Sequence, residues 1–382
     1  MSNLQCQIKK YPLLPYSQLV WEMMRWLQGV YWFSVVMRWK DGAKKIDRIE
    51  HAIRVALENH PVFSIQVDWM GRHYVAVLND ILHGPFHYVT LSKEGEDVLI
   101  HAGLNRILGD GISISILCED VERVYNGLPL EHDDYWGYLA QYEQQKYEAH
   151  YENSRKWLTQ EFADKSVPVR PTIDRRCLMT LLPPKAGLYE DDYTSLLAKI
   201  EHLKGEQFIS HEGVFSLCAA LAIAEYCGTD EAALTWAYEG RETAEEQRIF
   251  GSLHRDVPFI IRKSKIENRE SAIRETRTQI RQGIAHSDYP YTLTAPYNRR
   301  WNDAVNVLRV EDPEDMQRKS LLPVEIVSIP KQKYAYALLD VEIHEKEESL
   351  QLVYRYSATH YKPESIRRFA ALVRKYVLWL ID

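Results

Sequence analysis

The spacing of apolar and polar residues predicts an alternation of helices and strands along the chain. Apolar positions in Ile46–Leu57 recur every three or four residues, which is typical of an amphipathic helix, whereas the β-branched and aromatic residues of Val30–Trp39 favour a strand. Val214–Tyr226 is almost wholly apolar and predicts a buried helix. Leu350–Tyr356 alternates as a strand before a closing helix over Pro363–Ile381. The pattern therefore indicates a mixed α and β fold.

One stretch, Val98–Gly127, combines this pattern with candidate chemistry. It predicts a buried strand, a tight turn at Gly109-Asp110-Gly111 and a helix that ends at Asn126. An Asp-Gly pair between a strand and a helix places a carboxylate and backbone N–H groups at a helix N-terminus, where binding sites tend to form. Ser113 is interpreted as the N-cap and not as a nucleophile, because no Gly-x-Ser-x-Gly elbow surrounds it.

Length and composition indicate a globular protein of two lobes. The chain has 382 residues, of which 46% are hydrophobic and 26% charged, and its net charge of −7 gives no electrostatic reason to expect a nucleic-acid partner. The proline-bearing segment 166–174 is the best linker candidate. The sequence therefore predicts an N-terminal lobe over 1–165 that carries the Asp110 motif and a C-terminal lobe over 175–382.

Cysteine usage and hydropathy favour a cytoplasmic protein without a membrane span. The cysteines are odd in number and show no close pairing of the kind that binds zinc: Cys6, Cys118, Cys177, Cys218 and Cys227. No uninterrupted apolar run reaches the length of about 18 residues that a membrane helix needs. No phosphate-binding loop, dinucleotide motif or metal-ligand set is present, so we expect no bound cofactor or metal.

The stretch around Asp110 resembles the signature of nonribosomal-peptide condensation domains and their acyltransferase relatives. That signature has two histidines, three free positions, Asp-Gly, an aromatic or aliphatic residue, and Ser. Asp110, Gly111 and Ser113 match it, whereas Asn105 and Arg106 occupy the two histidine positions. Weaker blocks follow in the family's order along nearly the whole chain: Pro12-Leu13 with Ser17-Gln18, His60-Pro61, Gly240-Arg241, Gly251 with Pro258, and Ala285-His286 with Pro290.

The resemblance implies a fold and a set of partners. The fold would be two chloramphenicol-acetyltransferase-like lobes in a V-shaped arrangement with a central tunnel. An acyl thioester and an acceptor amine would arrive there on the phosphopantetheine arms of carrier proteins. The resemblance also implies that Asp110 is structural and is bonded to an arginine of the other lobe, with Arg241 at the matching position. A local pairing of Asp110 with Arg106 is the other possibility.

Position 106 leaves the activity open, because a guanidinium stays protonated and cannot act as a general base. One interpretation is a domain of nonribosomal peptide or hybrid biosynthesis that is impaired in amide-bond formation and serves as a binding platform for a carrier protein or a tailoring enzyme. Another is a divergent acyltransferase in which Arg106 and the Gly111 N–H hold the oxyanion, with Asn105 beside them. A third is a freestanding enzyme that acylates alcohols or lipids from acyl-CoA.

Other histidines offer no evident replacement for the missing imidazole. His101 lies five positions before Arg106 on the predicted strand, so that its side chain points to the opposite face. His60 is interpreted as a helix C-terminal residue that the helix dipole favours. His254 and His286 stand alone, with no Ser, Cys or carboxylate at a spacing typical of a catalytic pair.

Overall fold

The computed structural model of the chain describes residues 10–26, 31–68, 73–76, 80–162, 166–175, 184–290, 304–310, 321–330, 334–335 and 337–382. Its helices are α1 (Pro15–Trp26), α2 (Ile46–Asn59), α3 (Gly111–Tyr125), α4 (Tyr135–Gln145), α5 (Ala149–Glu161), α6 (Leu197–Gln207), α7 (His211–Cys227), α8 (Arg269–Ala285) and α9 (Pro363–Ile381). Its strands are β1 (Lys10–Pro12), β2 (Trp32–Trp39), β3 (Ile65–Val67), β4 (His73–Ala76), β5 (His83–Gly84), β6 (His87–Glu94), β7 (Asp97–Asn105), β8 (Ala186–Asp192), β9 (Glu231–Tyr238), β10 (Arg255–Arg262), β11 (Asn306–Val310), β12 (Val324–Ser328), β13 (Leu339–Lys346) and β14 (Ser349–Ser357).

The chain divides into two compact units, each built from three segments. The first unit comprises Met1–Gln144, Glu239–His254 and Pro313–Lys331, and the second comprises Gln145–Tyr238, Arg255–Asp312 and Gln332–Asp382. The lobes over 1–165 and 175–382 stay a prediction. The compact units divide the chain elsewhere, because two later segments fold onto the first unit, and one of them contributes β12 as a neighbour of β2.

The first unit is built on two antiparallel sheets. The larger one has the strand order β12-β2-β7-β6-β5, and the smaller one has the order β1-β4-β3. In the larger sheet β7 has neighbours on both sides, and its last residue, Asn105, pairs with Trp32 at the start of β2. The amphipathic helix predicted over Ile46–Leu57 is α2, which buries Ile49, Ala52, Ile53, Ala56 and Leu57. Because the middle strand β7 ends at Asn105, it leads directly into the turn at Asp110.

The second unit is organised around α7. This helix runs through the core of the unit, where it packs with apolar residues of α9 and of the six-stranded sheet β10-β9-β11-β13-β14-β8. Because α7 is apolar on almost every side, a position in the middle of a core satisfies it, as the sequence predicts. It begins at the N-cap Ser210, whose Oγ accepts the Gly213 N–H at 3.2 Å, and it ends at Gly228 with a left-handed φ of 67°.

Among the described residues, no helix has by itself both the length and the apolar character needed to cross a membrane. One bent pair of helices, Thr194–Gln207 with His211–Cys227 at 104°, passes the same criteria of length and composition.

We expect that shortening a side chain in the α7 core will destabilise the protein strongly. Phe215 is fully buried, so Phe215→Ala should lower the free energy of unfolding by about 3–5 kcal/mol through lost burial and a residual cavity. Tyr147 is 86% exposed, and Tyr147→Ala should change it by less than about 0.5 kcal/mol. Chemical denaturation of the two variants and the wild type measures both values. Equal losses in the two variants would contradict the placement of α7.

Candidate functional site

The site is built at the bend between β7 and α3, where Asp110 caps the helix. The Asp110 carboxylate accepts the Ser113 N–H at 3.1 Å, and the Asp110 backbone N–H donates to Ser113 Oγ at 3.2 Å. This reciprocal pair is a capping box. The prediction that Ser113 is the N-cap is therefore wrong. Asp110 is the N-cap because its backbone is extended, and Ser113 is the third helical residue.

Arg241 holds the other side of the Asp110 carboxylate. Its Nη1 donates to Oδ2 at 2.9 Å and its Nη2 to Oδ1 at 3.1 Å, which is the bidentate geometry of a strong charge-assisted pair. Nη2 also lies 3.2 Å from the Ile249 carbonyl oxygen and 3.0 Å from that of Gly251. Both charged residues belong to the first compact unit, whereas the predicted boundaries put Arg241 in the C-terminal lobe.

The remaining contacts of Asp110 are structural as well. Oδ2 accepts the N–H groups of Leu253 at 3.0 Å and His254 at 3.3 Å. Burial by itself would raise the pKa of Asp110, but the Arg241 guanidinium and the Ser113 N–H hold that pKa below its usual value. Asp110 is therefore a carboxylate locked among donors, which suits a scaffold and not a general acid.

Ser113 and Gly109 bring the 250–251 segment against the bend. Ser113 Oγ accepts the Gly251 N–H at 3.1 Å and donates to the Gly251 carbonyl oxygen at 2.9 Å. A Cβ at Gly109 would lie 2.9 Å from both the Phe250 ring and the Ser113 Cβ. Position 109 therefore requires glycine, because two neighbours approach it too closely for a side chain.

Arg106 lies at the start of the bend and is partly buried. Its N–H donates to the Tyr31 carbonyl oxygen at 2.8 Å, and its guanidinium carbon lies 5.0 Å from the centre of the Phe33 ring. Within the described residues, Arg241 is the ion-pair partner of Asp110, and Arg106 is not among the contacts of that carboxylate. The alternative in which Arg106 and Asp110 pair locally is therefore wrong.

Asn105 is fully buried and holds the turn. Its Oδ1 accepts the Ile107 N–H at 3.0 Å, and its own N–H donates to the Phe86 carbonyl oxygen at 2.8 Å. Gly111, in contrast to the buried Asn105, is exposed at the first position of α3. A Cβ at Gly111 would meet no atom within 4 Å. The structure thus makes Asn105 part of the frame and leaves the helix N-terminus at Gly111 open.

His254 is the residue of this site that sequence reasoning missed. Its backbone N–H is bonded to Asp110, and the charges of Asp110, Arg106 and Arg241 all act on its ring. Burial and the two guanidinium groups lower the pKa of His254 to about 4, against the opposing effect of Asp110. The signal was its place three residues after Gly251, in a block that already resembled the family. A single histidine, with no Ser, Cys or carboxylate at a spacing typical of a catalytic pair, gave too little information to place it at the site.

The first unit also contains a buried charge cluster around His60. Its Nδ1 lies 2.8 Å from Asp133 Oδ2 and its Nε2 lies 3.2 Å from Asp120 Oδ2, with both carboxylates buried. Arg248 Nη2 donates to Asp120 Oδ1 at 2.9 Å. Burial by itself would lower the pKa of His60, but the two carboxylates raise it above its usual value. His60 is the C-cap of α2 as well, and its ring ties α2 and α3 to the 248–250 segment.

Comparison with known proteins identifies the family. The family model of the Condensation domain matches residues 106–382, which is most of the chain. The protein belongs to the condensation-domain family. It is 21% identical over 337 residues to tyrocidine synthase 3 of Brevibacillus parabrevis, and the match covers 85% of this chain. The chain spans about 5% of the length of that relative.

Solved structures agree with this condensation-domain assignment. The condensation domain of the monacolin K polyketide synthase MokA superposes with a TM-score of 0.77 at 11% identity, covering 98% of each chain. The epimerization domain from the third module of tyrocidine synthetase B gives 0.74 at 14% identity, again covering 98% of each chain. The predicted chloramphenicol-acetyltransferase-like fold is thereby confirmed. Since both condensation and epimerization domains share it, the fold alone does not fix the reaction.

One further cluster in this condensation domain has metal-ligand chemistry. Among the described residues, Glu201, His211 and Glu345 bring their ligand atoms within 4.8 Å of one another in the second unit. Lys204 Nζ already lies 2.9 Å from Glu201, and Arg309 Nη2 lies 3.1 Å from Glu345. Since both carboxylates face a cation, we interpret this group as an ion-pair cluster.

We expect Asp110→Asn to destabilise the domain by about 3–5 kcal/mol, because it leaves the buried Arg241 guanidinium without a counter-charge. Asp47 is exposed in the first turn of α2, and Asp47→Asn should cost less than about 1 kcal/mol. Chemical denaturation compares the two variants. A small loss in Asp110→Asn would show that the pair does not hold the bend.

The His60 cluster predicts a pH dependence of stability. A histidine whose pKa is raised on folding stabilises the folded state fully below its unfolded value of 6.5, and this contribution is lost as the pH rises through the folded pKa. Relative to His60→Gln, the wild type should therefore lose stability as the pH increases from about 6.5. Denaturation at several pH values measures this difference. The exposed His101→Gln serves as the control and should follow the wild type. A wild-type advantage that grows with pH would contradict the assignment.

Proposed function

We propose that this condensation domain binds an acyl thioester carried on the phosphopantetheine arm of a carrier protein, and that its amide-bond formation is impaired at position 106. Its main role would then be that of a binding platform for a carrier protein or a tailoring enzyme. The observation that carries the proposal is Arg106 at the position of the second histidine, on a bend whose supporting contacts are intact.

The chemistry of the guanidinium supports the impairment. In the family, an imidazole at this position suits proton transfer because its neutral form accepts a proton near neutral pH. A guanidinium stays protonated and has only donors, so Arg106 cannot accept the proton of an attacking amine. Loss of a general base typically lowers a rate by about two to four orders of magnitude.

The contacts around Asp110 support retained binding. The buried Asp110 carboxylate accepts from Arg241, Ser113, Leu253 and His254, and these bonds keep the bend and the backbone around it in place. These contacts fix the bend without contributing to proton transfer. A site whose backbone is held in place, but which has no general base at position 106, suits binding of the acyl thioester more than catalysis.

A second candidate is acyl transfer to an amine or hydroxyl acceptor by positioning and oxyanion stabilisation. The observation that favours it is the open helix N-terminus at Gly111, where an N–H is available at the positive end of α3. Arg106 would supply the second donor to the oxyanion. In this case the donor thioester could be held by a carrier protein or by coenzyme A.

We expect the purified chain to bind octanoyl-pantetheine and to form amide from it slowly. Arg106→His should raise the rate of amide formation at least about tenfold, because it places a proton acceptor at the usual position. Product analysis by mass spectrometry with a glycine ester as the acceptor measures the rate. The exposed Arg309→His is the matched control and should leave it unchanged.

The outcomes separate the candidates. Failure to bind the octanoyl thioester, both as free octanoyl-pantetheine and as an octanoyl group on the phosphopantetheine arm of holo carrier proteins, would contradict the platform. A wild type that turns over well and gains nothing from Arg106→His would favour the second candidate, and a preference for octanoyl-CoA over the pantetheine thioester would point to coenzyme A as the carrier of the donor.

A further inference from the structure

We propose that the exposed face of α8 is the surface on which an acidic helix of the carrier protein docks. The surface consists of three arginines, Arg274, Arg277 and Arg281, which we call the arginine row. The inference rests on the proposed function, because it names where the carrier protein of that proposal is bound. It concerns recognition of the carrier protein itself and not of the thioester on its phosphopantetheine arm.

The three arginines lie on one side of α8. They are three and four positions apart, so they follow one another along a single helix face over about 10 Å. All three are exposed. The other side of the helix holds the residues that α8 buries: Ser271, Ala272, Ile273, Thr276, Gln279 and Gly283. Burial of that side therefore leaves the arginine row facing solvent.

Within the part of the chain that the structure describes, no ion pair neutralises the arginine row. Glu270 lies one turn before Arg274 on the same face, but neither an ion pair nor a hydrogen bond joins these two described residues. Glu275, the other acidic residue of α8, lies 3.4 Å from Lys265 Nζ and also 3.4 Å from Gln279 Nε2. The row consequently keeps an excess of positive charge.

Exposed cations on other helices of this chain have acidic partners. In α2, α5, α6 and α9 a basic residue pairs with an acidic residue three or four positions away: Arg54 with Glu50, Arg155 with Glu152, Lys204 with Glu201, and Arg367 with Glu364. In the arginine row the neighbours at these spacings carry the same charge, and like charges there destabilise a helix. A local conflict of this kind is typical of a functional surface, and an anionic partner would relieve it.

The chemistry of the row selects its partner. A guanidinium is planar, stays protonated and binds a carboxylate through two parallel hydrogen bonds. A helix with carboxylates three and four positions apart repeats the spacing of the row, so that each arginine faces one carboxylate. A long polyanion such as a nucleic acid would extend beyond the row and meet a chain whose net charge is −7. A short acidic helix contacts the row alone.

Exposed ion pairs suit a carrier protein that must leave after each delivery. Such pairs are individually weak and are screened by salt, so they do not hold a partner for long. Complementary charges nevertheless speed the encounter and orient the partner as it arrives. The arginine row would therefore select the carrier protein at association and release it readily.

The first test uses an alanine-rich helical peptide with three glutamates at the spacing of the row, and fluorescence anisotropy measures its affinity for the full-length chain at low salt. A peptide with glutamines in place of the glutamates should bind at least about tenfold more weakly. The row variant, with Arg274→Gln, Arg277→Gln and Arg281→Gln together, should lower the affinity for the glutamate peptide by about the same factor, because three ion pairs are lost.

A control variant removes the same charge elsewhere. It combines three substitutions of exposed arginines that already have acidic partners: Arg155→Gln, Arg309→Gln and Arg367→Gln. This control should change the affinity for the glutamate peptide less than about twofold. Added salt should weaken binding to the wild type and reduce its difference from the row variant, because the charges are exposed.

The second test uses holo carrier proteins loaded with an octanoyl group. The wild type should bind an octanoyl carrier protein more tightly than free octanoyl-pantetheine, and the row variant should lose this preference while its affinity for free octanoyl-pantetheine stays within about twofold. A purely structural role of α8 would not separate the two ligands in this way.

The outcomes are distinguishable. Equal affinities of the wild type and the row variant for the glutamate peptide, or an equal loss in the control variant, would overturn the docking surface. Tighter binding of a DNA duplex than of the glutamate peptide would overturn the choice of partner. Equal binding of octanoyl carrier protein by wild type and row variant overturns the surface and leaves the proposed function intact. A chain that does not bind the octanoyl thioester, free or on a carrier protein, contradicts the proposed function itself.

Discussion

The buried ion pair between Asp110 and Arg241 is the interaction on which the candidate site depends. It joins the N-terminus of α3 to a segment more than a hundred residues later in the chain, and it does so with two hydrogen bonds of 2.9 and 3.1 Å. Removing either charge would leave the other buried, which is far more costly than a surface ion pair. The pair is therefore a constraint on the backbone, and the positions of Arg106 and His254 follow from it.

The same pair affects the electrostatics around Arg106, the residue that the sequence resemblance places at the family's second histidine position. Because Arg241 already neutralises Asp110, the Arg106 guanidinium adds a further positive charge near the bend. That charge favours anionic species such as an oxyanion and disfavours protonation of a nearby imidazole. The substitution thus changes the electrostatics of the site and leaves its frame in place.

The His60 cluster attaches the 239–254 segment to the rest of the first unit at a second place. Asp133 binds both the His60 ring and the Phe250 N–H, while Arg248 pairs with Asp120. The 239–254 segment is therefore tied to the first unit by two buried networks, one at Asp110 and one at His60. The two differ in their response to pH, since a low pH favours the protonated His60 and opposes the ionised Asp110.

The sequence by itself determined the elements and the family. Hydrophobic periodicity predicted α2, α7 and α9, because burial imposes a local repeat that can be counted along the chain. The motif at Asp110 and the order of the weaker blocks predicted the condensation-domain fold. The cap of α3 at Asp110 is a local feature of residues 110–113, which the sequence analysis had assigned to Ser113. The partition into compact units and the place of His254 were decided only by tertiary structure. These depend on contacts between residues distant in sequence, and local spacing carries no information about such contacts.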